Sequence, residues 1–301
     1  MSNSHIQTVA ILTQYNARSL NEHLSSSKWW NFGRKQGGLF LFTPTVTADN
    51  SDWYRGTADA MYQNIDFLKR RHEPYVIISS GDCVYKLDFN RVLDFHIEKK
   101  SDITVVCKDM MYNDDVSRFG VVRMDEESRI TEFDEKPIEA SSNTISTGIY
   151  VIRRRQLIEL LEAAAEENRF DFVNDILVRY KNVKKIYGYK INSYWNNIAD
   201  IDAYFKTNMD FLRPDVRSYF FREEPTICSK VDDLPPAKFN PGSDISNSLV
   251  SSGCIINGRV EDSVLFKQVF VGKNTTVKNC VILNDVYIDD LSLIHISEPT
   301  R

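Results

Sequence analysis

Three stretches set charged side chains beside small residues in a way that can do chemistry. Gly81-Asp82 directly follows the apolar, β-branched run 75–80. In open α/β sheets, ligands gather beyond the carboxyl ends of strands. Asp82 therefore falls where a carboxylate could hold Mg²⁺ against nucleotide phosphates and neutralise charge as an oxygen attacks phosphorus. Gly-Asp is also ordinary turn material, and the pair alone does not choose between the two readings. Tyr54-Arg55-Gly56-Thr57-Ala58-Asp59 leads into an amphipathic run. Backbone amides at a helix start can face an anion or a base edge, and Gly56 lets the chain come close. A loop with Thr57 as N-cap accounts for the same residues. Glu135-Lys136-Pro137 ends the strand-like run 129–133 and would project one anion and one cation from a Pro-stiffened loop. A sugar phosphate needs both kinds of contact, carboxylate for hydroxyls and ammonium for phosphate, whereas an exposed Glu-Lys pair can equally be solvated surface.

The elements that must position these residues are legible as runs. Short β-branched stretches at 9–12, 75–80, 103–107, 120–124 and 149–152 alternate with amphipathic ones, which predicts an α/β domain built from a helix-covered sheet. The clearest helix starts at Thr57 and sets Ala58, Met61, Ile65 and Leu68 on one face, with Asp59 suited to its N-terminal dipole. Further helices are expected over 88–98, 154–167, 172–180 and 201–212.

After Arg213, five prolines (Pro214, Pro225, Pro235, Pro236 and Pro241) repeatedly remove backbone donors, so 214–246 reads as an interdomain linker. Beyond it, apolar residues recur every six positions in two ladders: Val264, Phe270, Thr276, Ile282, Ile288, and Leu265, Val271, Val277, Leu283. That period predicts a left-handed parallel β-helix of about two coils over 247–290, short of the three or more that normally stack stably. Residues 291–301 drop the register and carry Pro299, so they are expected to be a non-native tail. The first domain then spans 1–213.

Composition narrows the function classes. Lys and Arg total 37 against 42 Asp and Glu, a net charge of −5, which argues against a dedicated nucleic-acid surface. No apolar run reaches the roughly 20 residues of a membrane span, and the first 16 residues have no signal-peptide pattern. The five scattered cysteines form no CxxC pair, which fits reduced thiols and a cytoplasmic location. His5, His23, His72 and His96 have no ligand-like spacing.

Read together, the strings WYRGTADAMYQN (53–64), SGDCVYKLDF (80–89), RFGVV (118–122), FDEKP (133–137), STGIY (146–150), FDFVNDIL (170–177), YWNNIADIDAYFKTNMDFL (194–212), PPAKF (235–239) and NSLVSSGCIINGRVEDSVL (247–265) resemble glucose-1-phosphate adenylyltransferase, also called ADP-glucose pyrophosphorylase. They arrive in the family's order. The resemblance implies a Rossmann-like nucleotidyltransferase domain followed by a hexapeptide β-helix. It also implies conversion of ATP and glucose 1-phosphate to ADP-glucose and pyrophosphate with Mg²⁺, in bacterial glycogen synthesis. The glucose 1-phosphate contacts fall on Tyr54, Gly120, Glu135, Lys136 and Ser146, with Asp82 and Lys136 as the catalytic pair. Asp82 also matches the metal-binding aspartate, and Gly56, Thr57, Ala58 and Gly81 match the nucleotide side.

The sequence departs from that pattern in three places. A glycine-rich loop of the form GGxGxRLxPLT is absent, and without that cradle the chain by itself is expected to be inactive. The second metal carboxylate, an aspartate within the family's YWxD segment, aligns with Asn197. Position 83 is Cys where catalytic members usually carry His. The changes at 197 and 83 resemble the GlgD-type subunit, a non-catalytic or weakly catalytic paralogue paired with a catalytic GlgC-type partner in a homo- or heterotetramer. A catalytic subunit or another sugar-nucleotide pyrophosphorylase is the alternative reading. Acyltransferases also carry hexad β-helices, but their chemistry wants a histidine in a long β-helix, and the only one here beyond His96 is His295.

Overall fold

The computed structural model describes residues 1–33, 37–44, 53–111, 114–225, 227 and 229–295. Up to residue 221 the elements run β1 (Thr8–Leu12), α1 (Ala17–Leu24), β2 (Gly38–Phe42), α2 (Thr57–Gln63), α3 (Ile65–Lys69), β3 (Tyr75–Ser79), β4 (Cys83–Tyr85) and α4 (Phe89–Glu98). They continue with β5 (Ile103–Asp109), β6 (Gly120–Met124), β7 (Ile130–Glu135), β8 (Thr144–Arg153), α5 (Arg154–Glu166), a π-helical turn (Val173–Val178), β9 (Ile186–Lys190), β10 (Trp195–Asn197), α6 (Ile201–Asp210) and α7 (Pro214–Phe221). The chain forms two compact units, one of residues 1–81 and 87–193, the other of residues 82–86 and 194–301.

The first unit is a mixed α/β body. Its six-stranded sheet runs β7-β6-β8-β5-β9, with β3 also paired to β8. The long β8 is antiparallel to β3, β5 and β6, while β9 lies parallel to β5. β1 and β2 form a separate parallel pair. Ile103, Val105, Val122, Phe133, Tyr150, Ile152, Leu157, Leu161, Ile176 and Leu177 are buried in one cluster that joins sheet, α5 and the π-helical turn. The expected helix from Thr57 is two helices. At Asn64 the backbone leaves helical geometry (φ −108°), and the side-chain amide donates to Ala60 O at 2.9 Å and Tyr54 Oη at 3.0 Å. An Asn side chain that competes for backbone groups breaks helices in this way. The 172–180 helix is likewise corrected: its centre winds with a π-helical spacing that leaves no mark in apolar periodicity.

In the second unit, β4 pairs antiparallel with β10. Lys86 Nζ donates to Tyr219 O and to Glu223 O at 2.9 Å, so its ammonium satisfies carbonyls at the end of α7. The proline-rich stretch after Arg213 is therefore not bare linker. Pro214 occupies the first turn of α7, where no backbone donor is needed.

Short strands then stack into a parallel β-helix: β11 (Lys238–Phe239), β12 (Asp244–Ser246), β13 (Leu249–Val250), β14 (Ile255–Ile256), β15 (Arg259–Glu261), β16 (Val264–Leu265), β17 (Phe270–Val271), β18 (Thr276–Lys278), β19 (Val281–Ile282), β20 (Tyr287–Ile288) and β21 (Leu293–His295). They make three sheets, β11-β14-β17-β20, β12-β15-β18-β21 and β13-β16-β19. The core is the inward row Ile256, Val260, Leu265, Val271, Val277 and Ile288. Two expectations change. The coils begin inside the stretch read as linker, and residues 293–295 of the presumed tail form β21 on β18; residues 296–301 lie outside the described residues. The register also departs from strict hexads, since Phe270 stacks on Tyr287 and not on Ile288. Tight corners shorten the coil, and Asn247, Asp262, Asn274, Asn279 and Asp285 take left-handed φ of 40–60° there.

Among the described residues, no helix is long and apolar enough to cross a membrane.

Candidate functional site

Glu135 closes β7 and lies directly opposite Gly120, the first residue of β6. A β-carbon on Gly120 would stand 2.8 Å from the Phe133 ring and 2.9 Å from Glu135 Oε2, so only glycine leaves the carboxylate its place. That side chain is 20% exposed. Burial raises the Glu135 pKa; the Lys136 ammonium counters this and the Asp171 carboxylate adds to it. Lys136 takes a left-handed φ of 49°, uncommon outside glycine, and its N–H donates to Phe119 O at 3.1 Å. Its Nζ lies 4.0 Å from Glu135 Oε1 and is well exposed. One strand end thus carries a partly desolvated anion beside an exposed cation.

Ser146 and Tyr150 lie on β8, with the Ser146 Oγ and Tyr150 Oη 3.3 Å apart. The phenol is buried, and its pKa is raised first by that burial, with the charges of Glu135 and Asp171 also acting on it. Glu135, Lys136, Gly120 and Ser146 are therefore brought into one neighbourhood, with Tyr150 and Asp171 added. The last two escaped sequence reasoning although they lie within STGIY and FDFVNDIL. No periodicity marks a strand tyrosine as facing a carboxylate.

Around α2 the expected open helix start is corrected. The N–H groups of Ala58 and Asp59 both donate to Phe170 O, at 2.8 and 3.2 Å, so these two amides do not await an anion. Gly56 permits that approach, because a β-carbon there would stand 2.3 Å from the same carbonyl oxygen. Thr57 is not the N-cap; its Oγ1 accepts from Phe172 N–H at 2.9 Å. Asp59 is buried and accepts from Arg55 N–H (2.8 Å) and Gln63 Nε2 (2.9 Å). The Arg55 guanidinium lies 3.8 Å from the Phe170 ring centroid. Gly56, Thr57 and Ala58 thus fix residues 170–172, and Tyr54 is held through its hydroxyl by Asn64. Gly81 ends this unit with open space where a side chain would stand.

Asp82 and Asn197 come together in the other unit. Cys83 pairs with Asn197 across β4 and β10, and Ile198 N–H donates to Asp82 O at 2.7 Å. Cys83 Sγ lies 3.4 Å from Asp82 Oδ1 and 3.7 Å from Asn197 Nδ2. The thiol is pushed up to about 12, by burial and then by the Asp82 charge, and stays neutral near pH 7. Mg²⁺ is usually held by one or two carboxylates together with substrate phosphates. Asp82 can supply one, but Asn197 Oδ1 already accepts from Ala199 N–H at 3.0 Å and carries no charge. Among the described residues, no group of three or more His, Cys, Asp or Glu is placed to hold a metal. The side chains present thus fit a complete Mg²⁺ site poorly.

Comparison with known proteins meets this geometry. The nucleotidyl transferase family matches residues 1–213, and the GlmU-like C-terminal hexapeptide family matches residues 235–296. A glucose-1-phosphate adenylyltransferase from Clostridium perfringens is 37% identical over 292 residues, covering 96% of this chain and 74% of the relative. The enzyme of the same name from Bacillus subtilis is 36% identical over 279 residues, covering 92% of this chain and 73% of its own length. One from Pseudothermotoga lettingae is 37% identical, with 91% and 66% covered. With its α/β unit, its coiled strands and these likenesses, the chain belongs to the nucleotidyl transferase family, among the glucose-1-phosphate adenylyltransferases that carry a hexapeptide-repeat region.

Proposed function

We propose that the chain is a cytoplasmic subunit of glucose-1-phosphate adenylyltransferase that binds glucose 1-phosphate at Glu135, Lys136, Ser146, Gly120 and Tyr54. The observation that carries this reading is the half-buried Glu135 carboxylate, seated against Gly120 and beside Lys136. Keeping an anion partly desolvated is unfavourable unless a ligand uses it. The carboxylate accepts sugar hydroxyls, while the exposed Lys136 ammonium meets the phosphate.

In the reaction, a phosphate oxygen of the sugar attacks the α-phosphorus of ATP in line. The new P–O bond forms as the bond to the β-phosphate bridging oxygen breaks, and pyrophosphate leaves. No covalent protein intermediate is needed, so the side chains orient and neutralise. Asp82 is assigned the phosphate-borne metal. Gly81 and the 56–58 turn are assigned the nucleotide side, the turn acting through its hold on residues 170–172. Asn197, already accepting from Ala199 N–H and uncharged, leaves the Asp82 site short of charge for Mg²⁺.

That shortfall, together with Cys83, supports a GlgD-type regulatory or weakly catalytic subunit working in a tetramer with a catalytic GlgC-type partner. The polypeptide by itself is therefore expected to bind glucose 1-phosphate without releasing pyrophosphate from ATP. Parallel titrations with glucose 1-phosphate and ATP, coupled to a pyrophosphate assay, test this. Saturable sugar-phosphate binding without turnover supports the reading; steady pyrophosphate release overturns the subunit assignment.

A further inference from the structure

One row of residues crosses the six-stranded sheet through the proposed site. Glu135 on β7 pairs with Gly120 on β6. Val121 pairs with Ile145 on the antiparallel β6 and β8, which sets Gly120 against Ser146. Ser146 pairs with Cys107 on β5, and Cys107 with Lys190, the last residue of β9. Cross-strand neighbours point to the same face of a sheet, so Lys190 shares a face with Glu135 and Ser146. Ser146 stands midway. Glu135 lies two strands away on one side and Lys190 two strands away on the other, about 10 Å in each direction at ordinary strand spacing. Burial raises the pKa of the Cys107 thiol between them, the Lys190 ammonium acts against that rise, and the Asp109 carboxylate adds to it. Both charges thus stand close to that side chain.

Lys190 has a partner of its own. Its Nζ lies 2.9 Å from Asp109 Oδ2, and Thr144 Oγ1 donates to Asp109 Oδ1 at 2.6 Å. Thr144 is buried and so fixes the carboxylate at the end of β5. The ion pair itself is open to solvent, its two side chains 50% and 56% exposed. Pairs so exposed contribute little, because water and salt screen them. A phosphate monoester carries close to two negative charges near neutral pH and offers three acceptor oxygens, so it competes well with a single carboxylate for an ammonium.

We propose that Lys190 is a further binding residue for the sugar phosphate: it exchanges Asp109 for an oxygen of a phosphate held near Ser146, on the side of β8 opposite Lys136. This rests on the sugar-phosphate reading of Glu135, Lys136 and Ser146. Asp109 then acts as an internal competitor, an anion that the ligand displaces from the ammonium. Lys136 and Lys190 approach the ligand from the two ends of one row, so the charge of the phosphate is met from both sides.

The test is calorimetric titration of glucose 1-phosphate into the 301-residue chain, into Lys190→Gln and into Asp109→Asn, with thermal midpoints measured alongside. Both substitutions break the same exposed ion pair, so a merely structural role would move affinity in the same direction in both or in neither. Asparagine keeps an acceptor for Thr144. The exchange predicts opposite signs. Lys190→Gln weakens binding about three- to tenfold, and Asp109→Asn, which releases the ammonium, tightens it about two- to fivefold, with little change in either midpoint. Any other pattern, whether loss in both variants, no loss in Lys190→Gln or no gain in Asp109→Asn, overturns the exchange and leaves the sugar-phosphate reading standing. If the unaltered chain binds no glucose 1-phosphate, both are wrong.

Discussion

Glu135, the proposed ligand of the sugar phosphate, costs its own fold something. Its carboxyl is harder to ionise in the folded chain than in the unfolded one. The folded state therefore holds its proton to higher pH, and stability falls as pH rises from 4.5 through the folded value. Glu135→Gln removes that cost while deleting the acceptor for sugar hydroxyls. We expect a thermal midpoint at pH 7 equal to or above that of the unaltered chain, together with weaker glucose 1-phosphate binding. A lower midpoint would mean the carboxylate is structural. Gly120→Ala acts oppositely: its β-carbon meets the Phe133 ring and Glu135 Oε2, so overpacking should destabilise by about 1–3 kcal/mol and displace the carboxylate, read by denaturant unfolding and titration. At this scale the sequence guides only in part. Glu135-Lys136-Pro137 stands out by charge and proline yet reads equally as solvated surface, whereas Tyr150 and Asp171 do not stand out, because only the register of neighbouring strands brings them to the same place.

Among the elements, α4 depends on a buried neutral histidine. His96 Nδ1 is 2.8 Å from Thr104 Oγ1 on β5, with the Tyr75 ring edge-on at 5.5 Å. Burial, and secondarily the Arg153 charge, pull its pKa down to about 4, against 6.5 unperturbed; Asp102 opposes weakly. The unfolded chain takes up a proton that the folded chain refuses. This contribution is thus intact above pH 6.5 and is lost as pH falls toward 4. Urea midpoints between pH 7 and 4 should drop more steeply for the unaltered chain than for His96→Gln; parallel curves would show that His96 is not the group concerned. The elements also show where sequence patterns stop being informative. Strands 120–124 and helix 201–210 follow from β-branching and apolar stripes. The bend at Asn64 and the π-helical turn arise from side-chain competition and local winding, which share an apolar pattern with ordinary helix. Six-residue recurrence revealed the β-helix, but coil closure is set by corner residues such as Asn274 and Asn279, so rungs such as Phe270 on Tyr287 leave the strict hexad register and the coils extend beyond the span expected.

For the molecule as a whole, the proposed regulatory role would turn on the charge that position 197 brings beside Asp82. Asn197 pairs with Cys83 beside Asp82 and adds none. Asn197→Asp should tighten Mg²⁺ binding in the presence of nucleotide, measured calorimetrically; an unchanged affinity would count against the GlgD-type assignment. The central claim concerns the other unit, that Glu135 and Lys136 together hold a sugar phosphate. It is tested most directly by titrating glucose 1-phosphate into the chain and into Glu135→Gln and Lys136→Gln. The account predicts saturable binding at one site, weakened about ten- to a hundredfold by either loss of a charged partner. Equal affinity in all three proteins would contradict it.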